Sequence, residues 1–369
     1  MMKKKKTIIL AIVIILISAI TSTFCMNYIE KKNRIDKVEV GRSISAVIKG
    51  DGSLWMWGYN RAYQLGDGTA KDAKKPKKIM SDVKDISIGE GLTGAIKKDG
   101  SLWVWGAGYG CGSIGDGITK WSKKPKKITN HVKSVKMGQT INAVIKDDGS
   151  LWIWNDVGIG PNANGNMTKI DDNVKQVVLD LSDVVYVKEN GEMWALGADI
   201  RDSIGIKANA GRFEQPQKVE ENVKYVSING DEVFVIFDSG ELYRRTGTIS
   251  DEESAGSNRK SWIVGAEKVL DQVKFVNTRR GYYTILRTDA SVWTWGNNFA
   301  GRLGNGTLKN SNIPEQVINN AKQVSTSTSH AAVLKEDGTL WMWGDNKYGE
   351  LGDGTTKCSV IPKEIRVGN

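Results

Sequence analysis

The sequence predicts an all-β protein, a seven-bladed β-propeller preceded by one N-terminal transmembrane or signal helix. Three observations carry the propeller. A hairpin-turn motif recurs seven times, each copy reads as about four short strands, and one strand of most copies is apolar on both faces. The turns fall at Asp51-Gly52, Asp99-Gly100, Asp148-Gly149, Asn190-Gly191, Ser239-Gly240, Asp289-Ala290 and Asp337-Gly338, at intervals of 48, 49, 42, 49, 50 and 48 residues. A period of this size marks a propeller or a solenoid.

The chain opens with "MMKKKKTIILAIVIILISAITSTFC", in which four consecutive lysines precede the eighteen uncharged residues 7–24. As a helix, these would span about 27 Å at ~1.5 Å per residue, close to the ~30 Å of a bilayer core. The lysines should stay cytoplasmic and place the rest of the chain outside. An uncleaved anchor is expected, because no A-x-A-like site follows. A cleaved signal peptide and a lipoprotein on Cys25 are the alternatives, and Phe24 fits poorly beside a lipidated cysteine. The expected organisation is a basic segment at 1–6, an anchor or signal at 7–25, a linker at 26–34 and a propeller of seven repeats at 35–369.

Within each repeat a β-rich run, such as "SAVIK" (45–49) or "AAVLK" (331–335), leads into the Asp-Gly-type turn, a strong hairpin signal. The return strand is "LWMWG" or a relative of it. It does not alternate apolar with polar, so it needs cover on both faces, which neighbouring blades supply. Eleven of the thirteen tryptophans lie in this motif or its weaker copies and are read as packing residues between blades. Next comes a loop of the form G-x-N-x-x-G-x-L-G-D/N-G-T, at 58–69, 296–307 and 344–355. The repeat closes on P-x-x-I/V, a phase that holds five of the six prolines and suits an edge strand.

These repeats resemble the RCC1 family, the regulator of chromosome condensation. The resemblance rests on "DGSLWMWGYNRAYQLGDGT" (51–69), "DASVWTWGNNFAGRLGNGT" (289–307) and "DGTLWMWGDNKYGELGDGT" (337–355), and covers residues 35 to 369. It implies a seven-bladed propeller. The founding member is an exchange factor for a small GTPase, but none of its functional residues carries over to this chain. β-Lactamase inhibitory protein II, an exported RCC1-like propeller that binds an enzyme with one face of its disc, is similar in kind. That likeness implies a non-catalytic protein that binds a partner through its loops.

The candidate protein-binding residues are Tyr59, Tyr63, Tyr109, Phe299 and Tyr348 in the glycine loops, together with Trp121, Arg245 and Trp262. Repeats three to five depart most from the pattern, so the loops at 155–169, 199–214 and 244–262 are further candidates. In repeat five, Tyr243 and Arg245 stand where the tryptophans should. The formal charge is +10, and two similar runs contribute much of it: Lys74, Lys75, Lys77 and Lys78, then Lys123, Lys124, Lys126 and Lys127. They suit an anionic envelope polymer or carbohydrate, the alternative function; the plainer reading is a solvated lysine loop. Nucleic acid is not the expected partner, and a monomeric propeller is.

Three cysteines give no disulfide framework. The two histidines, His131 and His330, lie in different repeats and accompany no nucleophile elbow, H-E-x-x-H or C-x-x-C. The "GDGT" segments lack the further ligands of a calcium loop, so Asp67, Asp116 and Asp353 are expected to bond turn backbone. No catalytic residue, cofactor or metal is expected; an enzymatic site at the central channel is the lesser alternative. The expected location is the cell membrane with the propeller outside the cytoplasm, or secretion if the N-terminal segment is cleaved.

Overall fold

The computed structural model describes residues 33–108, 114–155, 166–181, 183–197, 213–229, 232–246 and 266–368. The N-terminal segment lies outside the described residues, as do Tyr109, Cys111, Trp262 and most of the loops at 155–169, 199–214 and 244–262. Among the described residues no helix is long and apolar enough to cross a membrane.

Seven four-stranded antiparallel sheets form the propeller, each built from one continuous stretch of chain. Blade 1 runs from Ile35–Val40 through Ile44–Lys49 and Leu54–Gly58 to Ala73–Met80. Blades 2 to 7 occupy residues 83–129, 132–171, 174–220, 223–270, 273–318 and 321–365 in the same order. The first strand of each blade faces the central channel and the fourth forms the rim. Each P-x-x-I/V proline sits in a rim strand, an edge position that needs no donated ladder bond. The register between third and fourth strands slips near it, as between Met56↔Lys77 and Gly58↔Ala73.

There is no single central core. The apolar clusters straddle the gaps between neighbouring blades, for example Leu92, Leu102 and Val104 of blade 2 with Val132, Val135 and Trp154 of blade 3. The two tryptophans of each motif divide the work. The second, at Trp57, Trp105, Trp154 and Trp343, is fully buried. Trp57 Nε1 donates to the Glu350 carbonyl of blade 7 at 2.7 Å, Trp105 to Gln64 of blade 1 at 2.8 Å and Trp343 to Arg302 of blade 6 at 2.9 Å. Its ring covers the glycine two residues further on, where an added Cβ would lie 2.6–2.7 Å from the indole nitrogen at Gly66, Gly304 and Gly352. The first tryptophan is half-buried: its Nε1 donates to the turn hydroxyl of its own blade, as from Trp55 to Ser53 at 2.9 Å, and a lysine covers its ring, as Lys49 does at 5.5 Å.

The ring closes without exchanging a strand. Gln323 of blade 7 clasps Val38 of blade 1, accepting from its N–H at 3.1 Å and donating to its carbonyl at 2.8 Å. The internal junction of blades 4 and 5 uses the same clasp, Gln176 on Val226, at 3.2 and 2.8 Å. Likewise Ser325 accepts from Val40 N–H at 3.0 Å at the closure, as Ser87 accepts from Met137 N–H at 2.9 Å between blades 2 and 3.

Candidate functional site

Among the described residues, the loops between third and fourth strands of blades 1, 6 and 7 emerge on one face of the disc, because their third strands share one direction. In the intact copies a buried asparagine organises each loop. Asn60 Nδ2 donates to the Thr69 carbonyl at 2.9 Å and the Lys71 carbonyl at 3.2 Å, and its Oδ1 accepts from Leu65 N–H at 2.9 Å. Asn298 and Asn346 repeat this pattern. Asp67, Asp116 and Asp353 do bond turn backbone, accepting from Thr69, Thr119 and Thr355 N–H at 2.9, 2.7 and 2.9 Å. The loop then docks on the next blade: Gly68, Gly306 and Gly354 N–H donate to the rim-strand carbonyls of Lys123, Val360 and Lys74.

This docking brings loop aromatics together in pairs. Tyr348 of blade 7 meets Tyr59 of blade 1 edge-on, with centroids 4.9 Å apart. Tyr63 of blade 1 stacks on Trp121 of blade 2, with centroids 5.6 Å apart and planes 24° apart. Phe299 on the blade 6 loop stands 67% exposed. Two residues absent from the sequence reading join them: Ile118, 86% exposed on the blade 2 loop, and Leu308, 63% exposed on the blade 6 loop. Exposed apolar side chains thus stand on blades 6 and 2, and the half-buried tyrosines of blades 7 and 1 lie on the loops between them. No periodic signal marks them, since an apolar residue in a turn has no strand or helix period to break. Arg245 is corrected: it lies on the strand Leu242–Thr246, opposite Val233, and is buried, because it takes the place of an inter-blade tryptophan.

The lysine runs form the rim strands Ala73–Met80 and Trp121–Thr129. Two of the eight form ion pairs with described residues. Lys77 pairs with Asp67 at 2.9 Å and Lys126 with Asp116 at 2.8 Å, so these are loop ties rather than free cations. Burial raises the Asp67 and Asp116 carboxyls, but the lysine and the turn donors outweigh it and hold both below the usual range. Lys123 lies over the rings of Tyr63 and Trp121, at 5.2 and 5.7 Å from their centroids. Lys74, Lys75, Lys78, Lys124 and Lys127 are exposed and make no ion pair with the described residues.

The central channel encloses about 530 Å³ and is lined by first-strand residues that the sequence reading did not single out, among them Glu39, Lys136, Tyr225 and Arg279. Burial lowers the Lys136 ammonium despite Glu39 nearby, and burial raises the Tyr225 hydroxyl. Neither histidine faces the channel as a pair with a nucleophile. His131 is exposed at a left-handed turn position, φ 60°, while His330 is fully buried between Ser45 Oγ at 2.9 Å and Ser327 Oγ at 3.0 Å. Among the described residues no group of His, Cys, Asp and Glu is arranged to hold a metal ion.

These blades, each a four-stranded antiparallel sheet, define a seven-bladed repeat propeller. The chain carries RCC1 repeats: the family described as the regulator of chromosome condensation (RCC1) repeat matches residues 51–96, 289–334 and 337–369, and a second model of that description matches 321–350. The matched unit is staggered against the blade, running from the third strand of one to the second strand of the next. Among solved structures, human WBSCR16 is similar at 17% identity and a TM-score of 0.68, over 85% of this chain and 93% of that one. Prp20p from Saccharomyces cerevisiae is similar at 15% identity and a TM-score of 0.71, over 91% and 88%. Yeast RCC1 (Prp20) in its complex with Kap60 is similar at 16% and 0.70, over 91% and 85%. At these identities the likeness shows the fold alone. No curated protein matches the chain significantly. The likeness to β-lactamase inhibitory protein II rests on the sequence features only.

Proposed function

We propose that the chain is a non-catalytic protein-binding scaffold, held outside the cytoplasm by its N-terminal segment or secreted, that grips a partner with the loop face of blades 6, 7, 1 and 2. The apolar arc of Ile118, Phe299, Leu308 and the Tyr59–Tyr348 pair carries this reading. Exposed large apolar groups gathered on one rigid face, rimmed by polar residues, are characteristic of protein interfaces. Prp20, which shares the fold, was crystallised with Kap60 bound and has binding properties toward Gsp1p and histones. The eighteen uncharged residues behind four lysines support the location.

The test is affinity capture with the full chain in detergent, from envelope and secreted fractions, under a high-salt wash. One stoichiometric protein is expected, and its retention should fall at least tenfold for Phe299→Ala combined with Leu308→Ser. Retention that ignores both substitutions would move the interface elsewhere. Protease treatment of intact cells checks the location: an external propeller is digested, an internal one is protected.

A further inference from the structure

We propose that the rim of blades 1 and 2 is a binding site for a uronic-acid polysaccharide, with Trp121 as its stacking platform and the rim lysines as carboxylate partners. The site adjoins the blade 2 end of the apolar arc, where Ile118 lies three residues before Trp121. Its starting point is an anomaly at Tyr63. The equivalent loop positions in blades 6 and 7 are Gly301 and Gly349, at φ 79° and 86°. A Cβ there would lie 2.8 Å from Val360 Cγ1 and 2.5 Å from Lys74 Cα, so those junctions admit only glycine. Blade 1 nevertheless places a tyrosine at this position, at φ 61°. An L-residue in that conformation costs about 1 kcal/mol, and strain of this kind gathers at functional sites.

What the tyrosine makes is a three-part stack. Tyr63 backs one face of Trp121, and Lys123 reaches over both rings. Trp121 is still 51% exposed, the one exposed indole among the described residues. Such an indole, held rigid from behind, offers a flat apolar surface at low entropic cost.

The charge around it selects the occupant. Along the two rim strands Lys74, Lys75, Lys78, Lys124 and Lys127 stand exposed and form no ion pair with the described residues, while Asp67 and Asp116 pair with Lys77 and Lys126 and Asp99 lies within the field of Lys127. The basic rim is not a property of the repeat. Blade 6 carries Asn312, Ile313 and Gln316 at the matching positions of its rim strand, and blade 7 carries Val360, Ile361 and Glu364. A polyanion complements such a stripe. Single-stranded nucleic acid stacks on successive platforms, and among the described residues this rim presents one exposed indole. A polyol phosphate has no ring to stack. A chain of carboxylated pyranoses supplies both an apolar ring face for the indole and a carboxylate on each ring for the lysines.

The experiment is titration of the full chain in detergent with polygalacturonate, alongside uncharged dextran, poly(glycerol phosphate) and oligo-dT. Polygalacturonate should bind and dextran should not. Trp121→Ala should weaken binding about tenfold. Tyr63→Gly restores the sister-loop residue, so it should fold at least as stably while weakening binding severalfold. Changing Lys74, Lys75, Lys124 and Lys127 to Gln should flatten the salt dependence. Binding that is absent, or that survives Trp121→Ala unchanged, would overturn the proposal. So would equal affinity for oligo-dT or poly(glycerol phosphate), which would mark a generic cationic surface.

Discussion

Glu350 and His330 lie within one buried cluster and respond to pH in opposite directions. Ser45 Oγ donates to the Glu350 carbonyl at 2.7 Å and meets His330 Nε2 at 2.9 Å. Burial pushes the Glu350 carboxyl up to about 7 and the His330 imidazole down to about 3. A raised acid contributes stability that is complete below its unfolded value of 4.5 and lost as pH rises through about 7. A depressed histidine contributes stability that is present above 6.5 and lost as pH falls towards 3. The melting temperature should therefore peak between these unfolded values, in mildly acidic buffer. Gln64 occupies the same loop position in blade 1, and its Oε1 accepts from Ala62 N–H at 2.9 Å as Glu350 Oε2 does from Tyr348 N–H at 2.7 Å. Glu350→Gln should keep that bond and remove the alkaline loss, raising stability at pH 8 by roughly 2 kcal/mol. Thermal melts at pH 5 and pH 8 check this; an unchanged difference between the two would show that Glu350 does not titrate there.

At the scale of the element, each glycine loop is tied to its own rim strand by a polar pair whose chemistry changes in concert. Asp353 pairs with Lys363 at 2.6 Å, as Asp67 does with Lys77. In blade 6 Asn305 takes the place of the acid, and its Nδ2 donates to Glu315 Oε2 at 3.0 Å. Asn305→Asp alone should place two carboxylates together and cost about 1 kcal/mol, and adding Glu315→Lys should recover it, a coupling readable by a double-mutant cycle in urea. Additive effects would mean that the tie contributes nothing to the loop. The repeat itself was legible because every unit states it locally: the turn, the W-x-W strand, the asparagine loop and the proline each act within a few residues. The pairs of the candidate sites were not. Tyr63 was visible as a loop aromatic and Trp121 as an indole outside the motif. That one backs the other depends on how loop 58–72 docks on the next blade. Arg245 was misplaced for the same reason, since its surroundings come from neighbouring strands. Lys77 and Lys126 read as surface charge until their aspartates were folded against them.

At the scale of the whole molecule the question is how a ring without an exchanged strand stays shut. The closure between blades 7 and 1 uses the devices of the internal junctions: an indole on the neighbour's glycine loop, a serine under a strand N–H, and the Gln323 clasp that mirrors Gln176. Nothing among these marks the closure as stronger or weaker than the rest. Each clasp holds both backbone groups of one inner-strand residue, so its removal leaves a donor and an acceptor in the channel wall. Gln323→Ala and Gln176→Ala should therefore cost about the same, on the order of 1–3 kcal/mol each. Hydrogen exchange should localise the effects, with Val38 losing protection in the first variant and Val226 in the second. If Gln323→Ala instead exposes amides throughout blades 7, 1 and 2 while Gln176→Ala stays local, the closing junction is the point from which the ring opens. The likeness of the two clasped junctions would then fail at the one where the chain is not continuous.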